Sequence, residues 1–358
     1  MGLSTYTNGW SGLFPPGKIF RDKEFKGIAL DPPDFEPGSW TGAGKAIFEE
    51  ERGRFLLTAR PRKAEGGVRG LAAEIHSSDN GEDFQLVKRL HKEEASEISG
   101  LEVQSIEGSQ LLKSPLTDRW HLYLSVDVAE EFVWGGLYWQ TLLLTAQKLE
   151  GPWKSEGLVL QNDGPYDANQ ARDATIDIVD GRWFCIYKAK DGNREERPGL
   201  ALSQDGIDWR KEGVLTVEGS ERLAFLSGTL FPGCSGPLFI GLELIDKKER
   251  RDLREGTEKE GMAYADRHGV PHGSGRANFV AYQLDYRSMN LETVFRERWR
   301  ADSEYEHKEH PLLGYSSLVY DPMGERMLTY VEAIDGQYTE KMGLNETVER
   351  LLVYETKL

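Results

Sequence analysis

A chain of 358 residues, 39% hydrophobic and 29% charged, has the composition of a soluble globular protein, and closed all-β folds of this length often form one unit. The net charge of −16 at pH 7 sets aside DNA, RNA and anionic membrane as partners, because counterion release needs clustered Lys and Arg. It leaves a neutral carbohydrate open.

In chain order, residues 1–38 are rich in Gly and Pro and read as an N-terminal arm that packs on the fold and lends an outermost strand to the last repeat. Met1 to Tyr6 show no basic segment followed by an apolar core, so the chain reads as cytoplasmic, or as secreted if a leader has been removed. From there one pattern recurs: an apolar run, a turn, and an aromatic or β-branched return strand. It is clearest in Ala171 to Lys188, which turns at Asp180-Gly181. It reappears at Gly44 to Arg60, Glu107 to Ser125, Ser227 to Glu243 and Tyr315 to Glu332. Five such hairpins predict an all-β, five-bladed β-propeller over residues 39–358, with blades at about 40–90, 100–160, 171–216, 221–298 and 312–358.

Within blade one, Ser77-Ser78-Asp79-Asn80-Gly81-Glu82-Asp83-Phe84 reads as a Ser-x-Asp-x-Gly-x-x-aromatic turn, and Ser203 to Trp209 in blade three nearly repeats it. A charged insertion at about 246–275 in blade four reads as a lid or rim over one mouth of the channel, or as a plain surface excursion. Cys185 and Cys234, in apolar strand contexts, read as free buried thiols.

In a propeller the first strand of each blade lines the channel and the second returns beside it. First-strand starts and second-strand ends therefore open on one face. This selects Glu107 and Asp173 from first strands, and Arg60, Asp127, Lys188, Glu243 and Glu332 from second strands. The arm adds Asp31 and Asp34, and the segment leading into blade five adds His307 and His310, of which His310 reads as a structural histidine or as one that bonds a substrate hydroxyl or an axial ion. An acid that interrupts an apolar inner strand needs a partner or a purpose. Two carboxyls flanking a bond are what glycoside cleavage requires, one donating a proton and the other activating water or attacking the sugar. Arg172 beside Asp173 favours the ionised form, and Ile106 before Glu107 partly desolvates it, which suits a donor. Trp134, Tyr138 and Trp139 read as a sugar platform or as core. His268 and His272 are four apart, but Gly269 and Pro271 break the helix that this spacing would need, so no metal is expected there.

Ser105 to Lys113, Trp120 to Ser125 and Leu149-Glu150-Gly151-Pro152-Trp153 together resemble the acid-bearing blade of glycoside hydrolase family 43, and Arg172-Asp173-Ala174 is similar to the Arg-Asp-Pro element of family 32. The resemblance covers blades two and three. It implies a five-bladed propeller glycosidase acting on a terminal sugar of an oligo- or polysaccharide in a central funnel, with Glu107 as acid and Asp173 as the ionised auxiliary carboxylate. No cofactor is implied, with room for a structural calcium on the axis. Three features depart from the pattern. The first strand of blade one, Thr41-Gly42-Ala43-Gly44-Lys45-Ala46, carries no acid; Ser109 stands where Pro is usual; and the Glu blade precedes the Asp blade. Asp31 or Asp34 would have to reach in from the arm, or Glu243 or Glu332 would have to serve. A carbohydrate-binding propeller without catalysis is the alternative. A phosphorylase or lyase using Arg60, Arg62, Arg172 and Lys188 is a third reading.

Overall fold

The computed structural model describes residues 15–36, 38–62, 70–131, 137–193, 195–221, 226–233, 236–244, 277–306, 313–335 and 348–358. His307, His310, Trp134, His268, His272, Cys234 and the 246–275 insertion lie outside the described residues.

The chain is a five-bladed β-propeller of antiparallel blades. Blade one has a divided inner strand, Trp40–Gly42 and Ala46–Glu49, followed by Arg54–Arg62, Ala72–Ser78 and Gln85–His91. Blade two runs Ser105–Lys113, Trp120–Asp127, Trp139–Ala146 and Lys154–Leu160. Blade three runs Gln170–Val179, Arg182–Lys190, Glu196–Ser203 and Trp209–Val214. Blade four is Leu226–Pro232, Pro237–Leu244, Ala277–Asp285 and Asn290–Arg298. Blade five is Leu313–Asp321, Arg326–Ile334 and Glu349–Lys357, and the N-terminal strand Glu24–Leu30 pairs with its last strand. An early and a late segment thus complete one blade, which covers an edge that would otherwise template association.

Alternating apolar residues bury the faces between blades. Ile47 and Leu56 of blade one share a core with Leu111 and Leu122 of blade two, which continues to Ile176 and Cys185 of blade three. Phe184 and Leu200 meet Leu230 and Phe239 of blade four, and Phe231 and Ile240 meet Leu318 and Val331 of blade five. Val319, Leu328 and Tyr330 return to Ala46, Phe48 and Leu57 of blade one. Each such side chain contributes roughly 1.5–3 kcal/mol of transfer free energy. Cys185 is a buried free thiol within this core.

The repeated turn holds as a hydrogen-bonded unit, one residue later in blade one than the sequence suggests. Ser78 Oγ accepts from Gly81 N–H at 2.9 Å and Asn80 Oδ1 from Glu82 and Asp83 N–H at 2.9 Å. In blade three, Ser203 and Asp205 do the same for Gly206, Ile207 and Asp208. The neighbouring blade then locks each turn: Tyr330 donates to Gly81 O at 2.7 Å and Tyr123 to Gly206 O at 2.6 Å. An unanticipated helix, Lys92–Ser99, links blades one and two and ends at Gly100, whose φ of 71° suits glycine.

Candidate active site on the propeller axis

Four of the five inner strands break register near their starts. In blade two the pairing passes from Ile106↔Val126 to Ser109↔Leu124, leaving Glu107 and Gly108 between. In blade three it passes from Arg172↔Lys188 to Thr175↔Ile186 around Asp173 and Ala174. In blade five it passes from Leu313↔Ala333 to Ser316↔Val331 around Gly314 and Tyr315. Blade one divides outright between Gly42↔Arg60 and Ala46↔Leu57, around Ala43, Gly44 and Lys45. Ala43 and Asp173 hold the left-handed region at φ 55° and 54°, costly for a residue with a Cβ and characteristic of positions that the surrounding structure over-determines. A break re-aims a side chain that regular pleating would send elsewhere.

The broken segments are stitched across the ring. Ser109 N–H donates to Ala43 O at 3.0 Å, Asp173 N–H to Ser125 Oγ at 2.8 Å, and Ala46 N–H to Ser317 Oγ at 2.8 Å. Gln110 bonds Ile176 through both ends of its amide, accepting from the N–H at 2.8 Å and donating to the carbonyl. Ser316 N–H donates to Ser227 Oγ at 2.8 Å.

Glu107 and Asp173 meet at one guanidinium. Arg172 Nη1 lies 3.3 Å from Glu107 Oε2 and Arg172 Nε 3.5 Å from Asp173 Oδ2. The width of a guanidinium then sets the carboxylate oxygens no more than about 9 Å apart, a bound that both the retaining and the inverting spacing satisfy. A Cβ on Gly108 would stand 3.0 Å from Asp173 Oδ1, so the residue beside Glu107 is glycine where the two strands touch. Neither oxygen of Asp173 accepts a hydrogen bond from the described residues, although the side chain is 1% exposed. A buried carboxylate held by charge alone is primed to accept donors from a ligand.

Cations surround the pair. Arg60 Nη1 is 3.7 Å from Glu107 and its Nη2 3.9 Å from Glu332, while Lys188 Nζ is 4.0 Å from Asp173 and 3.5 Å from Glu196. Burial opposes the charge on both arginines. Glu107 and Glu332 around Arg60, and Asp173 and Glu107 around Arg172, outweigh it and push each guanidinium above its usual value. Lys188 shifts the other way, pulled down chiefly by burial, with Arg172 and Lys190 adding to it.

Glu332 reaches the place where the blade-one strand lacks an acid. Its Oε2 accepts Ala43 N–H at 2.6 Å and fills the space that side chains on Gly42 and Gly314 would need. Its neighbour Glu349 is raised well above the ordinary carboxyl range, first by burial and then by the charge of Glu332.

The structure does not bring the remaining candidates into this cluster. Asp31, offered by the sequence as a third catalytic acid, is exposed and ion-paired to Arg350 at 2.9 Å, and Arg350 in turn lies 2.6 Å from Asp335. Asp34 caps its own loop by accepting from Glu36 N–H. Asp127 accepts from Ala129, Leu137 and Tyr138 N–H and is a turn anchor. Glu243 pairs with Arg296 at 3.0 Å. Trp139 is fully buried, with the Arg172 guanidinium 4.5 Å above its ring, so it braces the arginine and has no face for a sugar. Two residues were not singled out for the site. Lys45 Nζ crosses the axis from blade one to donate to Gly228 O of blade four at 2.7 Å and Ser316 O of blade five at 3.1 Å. Burial brings this ammonium down to about 7, against the opposing pull of Asp173. Tyr315 is part-exposed and feels Asp173, Glu107, Arg172 and Arg60 together. The signal for both was the interruption Gly44-Lys45 or Gly314-Tyr315 before an apolar strand, the same punctuation as Glu107-Gly108. Among the described residues no group of three or more His, Cys, Asp or Glu is arranged to hold a metal.

No protein-family model matches the sequence, and no curated protein matches it. Solved structures do resemble it. A family 117 glycoside hydrolase of the marine bacterium Zobellia galactanivorans superposes with a TM-score of 0.60 at 12% identity, covering 95% of this chain and 92% of that one. A family 43 enzyme of Xanthomonas citri, complexed with xylotriose, gives 0.54 at 10% identity over 94% and 92%. A family 32 β-fructofuranosidase of Bombyx mori gives 0.57 at 16% identity over 95% of this chain and 65% of that one. The shared feature is the fold, that of the five-bladed propeller glycoside hydrolases.

Proposed function

We propose that the protein is a glycoside hydrolase that removes a terminal sugar from an oligo- or polysaccharide. The observation that carries this reading is the meeting of Glu107 and Asp173, from separate blades, at Arg172. Glu107 gives its proton to the leaving glycosidic oxygen as the bond to the anomeric carbon breaks. Asp173 meets the positive charge that develops on the sugar, activating water or bonding to the anomeric carbon. Arg172 keeps the two side chains in register, and Trp139 beneath it and Gln170, which accepts from its Nε at 3.0 Å, hold the guanidinium in place. Side-chain exposures of only 6% at Glu107 and 1% at Asp173 suit a recess that takes a chain end. The fold shared with glycoside hydrolases of three families supports the reaction class. The gathering of Arg60, Arg172 and Lys188 bears on phosphorolysis, but each has a carboxylate beside it, which favours hydrolysis.

The test is turnover of a panel of aryl glycosides and oligosaccharides. Glu107→Gln and Asp173→Asn should each lower kcat/KM by about 10³-fold or more without lowering Tm. Full activity in both variants, or saccharide binding without any turnover by the wild type, overturns the reading. Sugar release that depends on added phosphate replaces hydrolysis with phosphorolysis.

A further inference from the structure

Blade five supplies an inner-strand break of the same kind as those that present Glu107 and Asp173, and its residue is Tyr315. The neighbours of Tyr315 fix it on the axis. Gly314 packs against Glu332, where a Cβ would stand 2.7 Å from Oε1, and Ser316 O accepts from Lys45 Nζ at 3.1 Å. Ser316 is further tied to blade four, its Oγ donating to Ser227 O at 2.7 Å. Glu107, Asp173 and Lys45 are buried on this axis, whereas Tyr315 keeps part of its surface open. Of these four residues it is the one with surface left for a ligand to touch.

We infer that Tyr315 is a further catalytic residue, a neutral hydroxyl that donates a hydrogen bond to the substrate between Glu107 and Asp173. This rests on the glycosidase reading above. The charged groups whose fields reach its phenol are Asp173, Glu107, Arg172 and Arg60, with Lys45 and Glu332 against the residues on either side. Burial first, and the two carboxylates next, push the phenol well above its usual value, outweighing the arginines. It thus keeps its proton, and a neutral donor can reach a sugar oxygen held beside the two acids.

Two measurements separate the failures. The first needs no substrate: with tyrosine labelled at the ring ζ-carbon, the Tyr315 resonance, assigned by its loss in Tyr315→Phe, should stay un-ionised after the exposed tyrosines have titrated. It should ionise earlier in Asp173→Asn. Ionisation near the ordinary phenol value in the wild type overturns the placement and leaves the glycosidase reading standing. The second is kinetic: Tyr315→Phe should lower kcat about 10- to 100-fold with KM changed less than threefold. Unchanged kcat in that variant removes the catalytic role alone, whereas a wild type inert on every glycoside removes the enzymatic reading and this role with it.

Discussion

Blade four and blade three are built from the same parts and treat their first strands differently. Leu226–Pro232 pairs with its partner in unbroken register from Leu226↔Glu243 to Pro232↔Pro237, and blade four's Glu243 is neutralised by Arg296. Arg296 is shared further with Glu218 at 2.9 Å and the Tyr282 hydroxyl at 2.9 Å. Blade three interrupts its register at Asp173 and leaves that carboxylate held by cations with no hydrogen bond from the described residues. A continuous ladder spends its charged residues on structure. A broken one turns them toward the axis, because the skipped residues are released from the alternation of the pleat. The acids gathered at Arg172 thus follow the breaks and not the count of acids.

The comparison sharpens under substitution. Gly108→Ala adds a methyl 3.0 Å from Asp173 Oδ1 and 3.4 Å from its Cα, so it should displace the carboxylate and reduce kcat/KM about 10- to 100-fold. Activity within twofold of wild type would show that the two broken strands do not position each other.

Lys45 gives a pH signature at the blade-one break. Its folded-state value of about 7 lies below the ordinary 10.5, so the unfolded chain binds the extra proton between those limits. The penalty for burying the charged ammonium is complete below about pH 7 and is relieved as pH rises toward 10.5. Urea unfolding should therefore show the wild type gaining stability from pH 7 to 9 relative to Lys45→Met. Parallel curves for the two proteins would contradict the buried, neutralising amine. The smallest effect belongs to the unbroken strand: Glu243→Gln should leave kcat/KM within about twofold, since its charge is spent on Arg296 away from Asp173. A loss comparable to that of Asp173→Asn would erase the distinction between the two kinds of strand.

Much of the architecture was legible from local pattern. Alternating apolar residues and the Asp180-Gly181 turn, at φ 52° and 74°, identify a hairpin without tertiary help, and five such hairpins identify the ring. The meeting of Glu107 with Asp173 and Arg172 was legible too, since a charge that interrupts an apolar strand is conspicuous in one dimension. Trp139 was not. An aromatic beside a polar run looks the same whether it faces solvent or lies under a guanidinium. Asp31 was misjudged for a similar reason, its partner Arg350 being on the last strand of the chain.

The sequence by itself determined the period of the strands, the turn chemistry and two of the axial charges, because these depend on neighbours a few residues apart. Only the tertiary structure decided which charges are spent on one another and which face the axis. Lys45 reaching Gly228, Glu332 reaching Ala43 and Tyr315 in the field of Asp173 each join residues more than a hundred positions apart, and no local pattern records a register break or the partner that it serves.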